Sequence, residues 1–287
     1  MNSKDIIKEI VKVIPGVSTI RSFQSAFSAP MKTIIDSRKK VKKYRDKYKG
    51  MRCFIVGNGP SLVPSDLDLI KNEISFAANT IFKMYSKTAW RPTYYCIQDE
   101  NVLKEIADEV STEIEATSEA TFIRMRSSRI VMKEKLKFNN LIYIPIVWKK
   151  TKRYSAPFSK DASKYVFDGS MVTYLALQLA VYMGFSEVYL LGMDHNFPYS
   201  YNREGKIIAN DVNIAVHFWE SADENKDQGR IILHANYQEF AENSYREAKE
   251  FCEKDGSVTI YNATRGGKLE VFERVNLDEI VNAGDKC

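Results

Sequence analysis

The stretch that most constrains how this chain can fold is residues 51–62, MRCFIVGNGPSL. Residues 52–56, of which the last four are apolar, predict a short buried strand, and Gly57-Asn58-Gly59-Pro60-Ser61 follows it before a helical pattern begins. Nucleotide-binding α/β domains begin in this way, because glycines let the backbone turn tightly beside a ligand and exposed N–H groups favour phosphate. The third glycine of a dinucleotide motif is absent. The stretch therefore fits either a nucleotide-binding loop or a plain strand-to-helix turn.

The composition is that of an ordinary globular protein with enough apolar residues for a large core. Of 287 residues, 44% are hydrophobic and 28% are charged. The net charge is +5, and its excess lies between Lys32 and Lys49, where nine residues are Lys or Arg and two are Asp. The basic charge therefore belongs to an N-terminal arm and says little about the substrate.

The cysteines and the N-terminus indicate a cytoplasmic protein. The four cysteines are not paired at metal-like spacing, and Cys53 and Cys96 fall in predicted buried strands, where a reduced cysteine acts as a small apolar residue. The N-terminus alternates charged and apolar residues, which predicts no signal peptide. No apolar run reaches the length that spans a bilayer.

Residues 1–50 are expected to form a basic helical extension in front of a catalytic domain at 51–287. Residues 31–49 carry apolar residues at helical spacing among many Lys and Arg. One interpretation is an arm that lies on an anionic membrane surface or contacts a membrane-bound partner. The other is a helix packed on the body or on a second subunit, which the thin apolar stripe favours. No nucleic-acid recognition motif accompanies the charge, so nucleic acid is not an expected partner.

From residue 51 onward, strands and helices alternate. This alternation predicts a Rossmann-like α/β domain, with a mostly parallel sheet covered by helices on both faces. Long helices are predicted at 170–183 and 237–254. The predicted strands are 52–56, 74–78, 94–97, 121–124, 141–146, 188–191 and 258–261.

Polar residues follow five of these strands where each one ends. Ligands of parallel sheets bind beyond the carboxyl ends of the strands, so these residues are expected to share one binding edge. Asn and Asp are also common as turn residues, which makes any single strand end uninformative. Residues 265–268, Arg-Gly-Gly-Lys, fit either a diphosphate clamp or a tight turn. The strand-end residues are Asn58, Ser61, Asn79, Gln98, Asp99, Asp194, His195, Asn196, Asn262, Thr264 and Arg265.

Residues 195–235 lack clean periodicity and are too many for a simple connection. They are expected to form a lid over the substrate, the alternative being a surface excursion without a chemical role. All three histidines, His195, His217 and His234, fall in this segment. A histidine, whose ordinary pKa is near neutral, suits general-base work. We favour His217 or His234 as the base, with His195 positioning substrate beside Asp194.

Several stretches together resemble a known superfamily. They are GNGPSL at 57–62, Asn79, GSMVTYLALQLAVYMGFSEVYLLGMDHNF at 169–197 and IYNATRGGKLEVFERV at 260–275. The superfamily joins bacterial sialyltransferases of the Campylobacter type to hydroxymethyl-dihydropterin diphosphokinase-like proteins and to motility accessory factors, which add nonulosonic acids to flagellin. The resemblance covers roughly residues 51–275.

Resemblance to the sialyltransferases implies an inverting, metal-independent transferase that uses a CMP-sugar. It implies that the Gly57–Gly59 loop, with Ser61 and Asn79, holds the nucleotide, and that a lid histidine is the general base. No arginine stands beside Gly169, where the sialyltransferases have one near the helix start. The residues that would bind sugar or phosphate are Ser170, Thr173, Asn196, Tyr199 and Tyr201.

The sequence therefore predicts a glycosyltransferase without a resident cofactor. It would move a sugar, such as a nonulosonic acid, from a nucleotide donor to a surface-glycan acceptor. A lipid-linked acceptor would suit the basic arm at the inner face of the membrane, and a homo-oligomer is compatible with that arm. The sequence contains no Walker A motif, which argues against a P-loop kinase.

Two other classes stay open. One is a Mg²⁺-dependent pterin diphosphokinase that uses ATP and Asp194, since one Asp suffices for Mg²⁺ when substrate phosphates supply the other ligands. The other is a nucleotide-binding scaffold without catalysis.

Overall fold

An eight-stranded sheet, in which all neighbouring strands run parallel, forms the centre of the molecule. The computed structural model describes residues 17–109, 118–138, 140–201, 206–209, 215, 217–218 and 228–284. The seven predicted strands are confirmed to within two residues at either end. In chain order the strands are β1 (Arg52–Val56), β2 (Ser75–Ala78), β3 (Tyr94–Ile97), β4 (Ala120–Arg124), β5 (Leu141–Ile144), β6 (Ile146–Val147), β7 (Val166–Phe167), β8 (Glu187–Leu191), β9 (Tyr199–Tyr201), β10 (Ile207–Ala209), β11 (Thr259–Asn262) and β12 (Glu273–Arg274).

The strand order places a crevice at the middle of this sheet. The order is β12-β11-β8-β1-β2-β3-β4-β5. From β1 the chain winds outward through β2 to β5, then returns to place β8 on the other side of β1. In open α/β sheets, ligands bind at the point where the winding direction reverses. The fold therefore directs attention to the loops that follow β1 and β8.

Helices cover both faces of the sheet, which confirms the predicted Rossmann-like α/β class. Alternate residues of β1 show the two faces: Cys53 and Ile55 join one apolar cluster, whereas Phe54 and Val56 join the other. Two 3₁₀ helices, Asn79–Met84 and Met125–Ser127, follow β2 and β4. The α-helices are α1 (Val17–Ala26), α2 (Met31–Lys42), α3 (Pro64–Leu69), α4 (Glu100–Glu105), α5 (Ser128–Lys133), α6 (Val172–Tyr182), α7 (Gln228–Asp255) and α8 (Leu277–Gly284).

The N-terminal arm packs on the body through α1 and α2. Phe23 and Val41 are buried in the larger apolar cluster. Lys40 Nζ donates to the Leu141 carbonyl over 2.9 Å, and the Tyr143 amide donates to Ser37 Oγ over 3.2 Å. The apolar side chains of the arm therefore pack on the body, beside β5 at the edge of the sheet. Residues 1–16 lie outside the described residues, and the domain division at residue 50 stays a prediction.

The region predicted as a lid, residues 195–235, lies largely outside the described residues. Within it, β9 and β10 form an antiparallel pair. The helix predicted at 237–254 in fact begins at Gln228, so the last residues of the expected lid are helical. Gly229 and Asn236 are weak helix formers, which explains why the pattern before residue 237 gives little helical signal. Among the described residues, no helix is long and apolar enough to cross a bilayer.

Candidate functional site

A cavity of about 510 Å³ opens at the carboxyl ends of β1, β2, β3, β4 and β8. It therefore lies where the strand order reverses. Its volume is within the range of small-molecule sites. The predicted site residues that line it are Gly57, Asn58, Gly59, Asn79, Gln98, Asp99, Ser170, Thr173, Asp194, His195, Asn196 and His217.

Gly57 and Gly59 are required by a close contact between two loops. A Cβ on Gly57 would lie 2.5 Å from the Gly192 carbonyl oxygen, and one on Gly59 would overlap the Asp194 carboxylate. Their amides donate to the carbonyls of Leu191 and Gly192, over 2.8 and 2.9 Å. In this structure the carbonyls at the end of β8 accept from both amides, so these two N–H groups do not point at a phosphate site. The glycines instead let the β1 and β8 loops pack together.

Asp194 fastens this contact. Its buried Oδ2 accepts from Ser61 Oγ over 2.8 Å and from the Ser61 amide over 3.3 Å. Its carbonyl accepts from the Lys268 amide over 2.7 Å. Burial raises the pKa of Asp194, although the bonds from Ser61 act in the opposite direction. Ser61 is thus turned toward Asp194 and does not line the cavity.

Four side-chain amides present unpaired oxygens at the cavity wall. Asn58 Nδ2 donates to the Ala78 carbonyl over 3.1 Å, and Gln98 Nε2 donates to Asp168 Oδ1 over 2.7 Å. Each of these amides must therefore turn its oxygen the other way. Within the part of the chain that the structure describes, the buried oxygens Asn58 Oδ1, Asn79 Oδ1, Gln98 Oε1 and Asn196 Oδ1 have no hydrogen-bond partner. Such an acceptor costs about 1–3 kcal/mol, a penalty that a ligand with N–H or O–H groups relieves.

Asn79 also carries backbone strain. Its φ is +53°, in the left-handed region that Asn tolerates better than most residues. Its carbonyl accepts from the Tyr95 hydroxyl, which holds the backbone in place. A strained residue at a strand end beside a cavity is a common feature of binding sites.

Sequence reasoning missed an ion pair on the cavity wall, Arg124 with Asp168. Arg124 Nη2 lies 2.9 Å from Asp168 Oδ2, and Asp168 Oδ1 accepts from the Ser170 amide over 2.9 Å. Arg124 ends β4, so the strand-end rule could have found it. Asp168 follows β7, whose two residues give no periodic signal. The sequence has no arginine beside Gly169, but the fold brings Arg124 of the distant strand β4 close to the start of α6.

Thr173, on the first turn of α6, is committed to a neighbour. Its Oγ1 lies 2.6 Å from the hydroxyl of Tyr245 on α7, and burial raises the pKa of that phenol. Ser170 has a φ of +63° and lines the cavity directly. Of the two residues predicted at this helix start, Ser170 is therefore better placed to contact a ligand.

Two of the three histidines reach the cavity. His195 has a side chain only 4% exposed, with Nε2 3.8 Å from Glu242 Oε2 on α7. Burial lowers the pKa of His195 and Glu242 opposes that shift, so the imidazole is neutral near neutral pH. His217 lines the cavity next to Phe218, whose amide donates to the Asn58 carbonyl over 3.0 Å. The side chain of His234 lies outside the described residues.

The polar residues at the end of β11 do not contribute to the cavity as expected. Asn262 Nδ2 donates to the Leu269 carbonyl over 2.8 Å, and Thr264 Oγ1 accepts from the Met193 amide over 3.0 Å. Arg265 pairs with Asp66 over 2.6 Å and with Asp278 over 3.0 Å. The expected diphosphate clamp is thus not formed here, because Arg265 holds α3 and α8 together.

The other predicted residues have local roles or lie outside the description. Asp99 accepts from the amides of Asn101 and Val102, over 2.6 and 3.3 Å, and so caps α4 from the edge of the cavity. Tyr199 is nearly buried in β9 and does not line the cavity. The side chain of Tyr201 lies outside the described residues.

Comparison with known proteins gives a family. The family model described as 6-hydroxymethylpterin diphosphokinase MptE-like matches residues 26–200, more than half of the chain. No match was found among curated proteins. The chain is also similar to a solved structure, the MAf glycosyltransferase from Magnetospirillum magneticum AMB-1, at 15% identity and a TM-score of 0.49. That match covers 90% of this chain and 41% of the glycosyltransferase, so this chain corresponds to about two fifths of its length. On the strength of the family model, the chain belongs to the MptE-like family, which confirms the superfamily suggested by its motifs.

Proposed function

We propose that this protein is a sialyltransferase-like glycosyltransferase. It would move a sugar with inversion from a nucleotide donor such as a CMP-sugar to a hydroxyl of a surface-glycan acceptor. The observation that carries the proposal is the set of unpaired amide oxygens of Asn58, Asn79, Gln98 and Asn196 around one cavity. A nucleoside offers suitable donors, namely its ribose hydroxyls and, in cytosine, an exocyclic amine.

The charge of the wall favours a donor with little phosphate charge. The described lining residues include one arginine, Arg124, and three aspartates, Asp99, Asp168 and Asp194. Arg124 is already paired with Asp168. Such a wall repels a bare triphosphate. A nucleoside monophosphate sugar carries a single phosphate and suits this wall better.

His195 is the general base in this proposal, in preference to His217 or His234. A neutral imidazole can accept the proton of the acceptor hydroxyl while that oxygen attacks the anomeric carbon of the donor. The bond from that carbon to the phosphate oxygen breaks, and the nucleoside monophosphate leaves with the bonding electrons. Glu242, 3.8 Å from Nε2, would stabilise the imidazolium that forms.

Donor turnover tests the proposal. CMP-N-acetylneuraminate, UDP-glucose and GDP-mannose are incubated with the protein in EDTA, and nucleotide release is measured. We expect release of CMP, reduced about 10²- to 10⁴-fold in His195→Gln, with a smaller loss in the matched variant His217→Gln. Release of UDP or GDP alone would contradict the CMP-sugar assignment. Nucleotide binding without turnover of any donor would favour a non-catalytic scaffold.

The description of the family model favours a second candidate, a pterin diphosphokinase that uses ATP and Mg²⁺. The donor groups do not fit a resident ion: no group of three His, Cys, Asp or Glu among the described residues is placed to hold a metal. Asp194, the expected ligand, has Oδ2 bound to Ser61. Any Mg²⁺ would therefore have to arrive with the phosphates of ATP. Release of AMP from ATP that requires both Mg²⁺ and hydroxymethyl-dihydropterin would favour this candidate over the glycosyltransferase.

A further inference from the structure

An exposed basic and aromatic segment lies at the mouth of the cavity. Residues 148–154, WKKTKRY, follow β6, and we call them the rim. Trp148 lines the cavity and is nevertheless 46% exposed, while Tyr154 is 40% exposed. Large aromatic side chains that are half-exposed at the entrance of a site indicate a surface that binds a partner.

The rim has an excess of unpaired positive charge. Its seven residues include four Lys or Arg and no acidic residue. Arg153 pairs with Glu250 over 2.7 Å, but within the described ranges no carboxylate lies within 4.0 Å of Lys149, Lys150 or Lys152. Lys150 Nζ lies 4.9 Å from the centre of the Tyr154 ring. Three lysines, the Trp148 ring and the exposed part of the Tyr154 ring, which also packs edge-on against Phe240, are therefore available to an anionic partner.

The backbone of the rim is fixed. The Trp148 amide donates to Ser22 Oγ on α1 over 2.7 Å, and the Thr151 amide donates to the Ser155 carbonyl over 2.8 Å. Asn243 of α7 donates to the Arg153 carbonyl over 3.2 Å. The rim is thus held in one position relative to the cavity by two helices.

We propose that the rim docks on the anionic headgroups of a lipid bilayer and so brings the cavity mouth to the membrane surface. Trp and Tyr favour the headgroup level of a bilayer, and nearby Lys residues are attracted to anionic lipids. The consequence for activity, access to a lipid-linked acceptor, rests on the proposed transferase function. The docking itself does not.

Exposed apolar surface near the rim favours a bilayer over a soluble polyanion. A soluble phosphate-bearing glycan would also bind lysines and stack on aromatic rings, but it has no use for an exposed aliphatic side chain, which a bilayer buries. Ile20, on the same helix as Ser22, is also 43% exposed. The basic helix α2 is less suited, because its apolar stripe packs on the body and Lys40 is bound to Leu141.

Vesicle sedimentation of the full chain tests the docking. Binding is measured to phosphatidylcholine vesicles with and without 30% phosphatidylglycerol. A variant with Lys149→Gln, Lys150→Gln and Lys152→Gln is compared with a control carrying Lys39→Gln, Lys42→Gln and Lys43→Gln, which removes the same charge from exposed lysines of the arm. We expect binding only to anionic vesicles, weakened roughly 10- to 100-fold by the rim variant and little by the control. Equal losses in the two variants, or equal binding to neutral vesicles, would overturn the proposal.

Two further readouts separate the alternatives. Brominated lipids should quench tryptophan fluorescence in the wild type, and Trp148→Phe should lose that quenching. Unchanged vesicle binding by the rim variant, with weaker use of a water-soluble anionic acceptor, would assign the rim to the acceptor and contradict docking. Vesicle binding is measured without substrate, so a protein that docks but turns over no donor would contradict the proposed function alone.

Discussion

The two walls of the cavity are built from different chemical groups. The wall formed by the ends of β1, β2 and β3 presents the uncharged amides of Asn58, Asn79 and Gln98, whose oxygens find no partner among the described residues. The wall that follows β8 presents Asp194 and His195, two buried ionisable groups whose pKa values burial shifts in opposite directions. Burial disfavours the charged form of each group, so it raises the pKa of the acid and lowers that of the imidazole. The comparison separates a wall that recognises hydrogen-bond donors from a wall that can move a proton.

The largest effect should come from the ionisable wall. His195→Gln removes the proposed base but keeps a polar side chain of similar size, so kcat should fall about 10²- to 10⁴-fold. The Kd for nucleotide should change little, because recognition belongs to the amide wall. Single-turnover kinetics and calorimetry measure the two quantities separately. If His195→Gln instead lost much nucleotide affinity with kcat unchanged, His195 would belong to nucleotide recognition and not to proton transfer.

The contact between the walls should be the next most sensitive feature. Gly59→Ala would place a Cβ against the Asp194 carboxylate and 2.7 Å from the Gly192 carbonyl oxygen. We expect the free energy of unfolding to fall by about 1–3 kcal/mol, measured by urea denaturation. Gly256→Asn is the control, since a Cβ there meets nothing within 4 Å and Asn tolerates its φ of +68°. Wild-type stability of Gly59→Ala would show that the loops are not packed as described.

The amide wall should show a smaller effect, on affinity. Gln98→Met removes the Oε1 acceptor while keeping the length of the side chain, so the Kd for nucleotide should rise about 10-fold, the equivalent of one hydrogen bond. Part of this loss would come from Asp168, which loses the Gln98 donor. Gln24→Met, an exposed position on α1, is the control. Equal affinities for both variants and the wild type would remove Gln98 from the binding site.

The smallest effect should be a shift in pH dependence. Because burial lowers the pKa of His195 below its ordinary 6.5, transfer activity should persist below pH 6.5 and fall only as His195 becomes protonated. Glu242→Gln removes the group that opposes this shift, so the acid limb of the pH–rate profile should move to still lower pH. If the acid limb of the Glu242→Gln profile moved to higher pH instead, the contact between His195 and Glu242 would be contradicted.

The same titration predicts the direction of a stability change. Below pH 6.5 the unfolded chain binds a proton at residue 195 before the native state does, so the free energy of unfolding should decrease as pH falls toward the lower native pKa. His195→Gln should lack this component. Denaturation curves between pH 7 and 5 measure the difference between the two proteins.

The position of the site could be predicted from the sequence because strand alternation fixes which ends of the strands meet. Asn58, Asn79, Gln98 and His195 each follow a strand that is readable as a short apolar run, and each lines the cavity. Asp168 was not predicted, because β7 has two residues and, within the described residues, pairs with β6 alone. Short strands carry too few residues for a pattern, so the groups they place are visible only in the fold.

Partners distant in sequence decide which groups of two predicted binding loops are free. The sequence predicts a nucleotide-binding loop at Gly57–Gly59, but the amides of both glycines are engaged by residues more than 130 positions away. Arg265 follows a strand on the expected edge, yet Asp66, 199 positions away, holds it elsewhere. Local motifs state which groups are present, whereas tertiary contacts decide which of them are available to a ligand.

The most direct test of the central claim, that the amide wall of this cavity binds a nucleotide, is isothermal titration of CMP in EDTA. Wild-type protein is compared with the double variant Asn58→Ala and Gln98→Met, and UDP, GDP and ATP are titrated in parallel. The account predicts that CMP binds the wild type without metal and binds the double variant at least 10-fold more weakly. Equal CMP binding by both proteins, or binding of ATP alone and only with Mg²⁺, would contradict it.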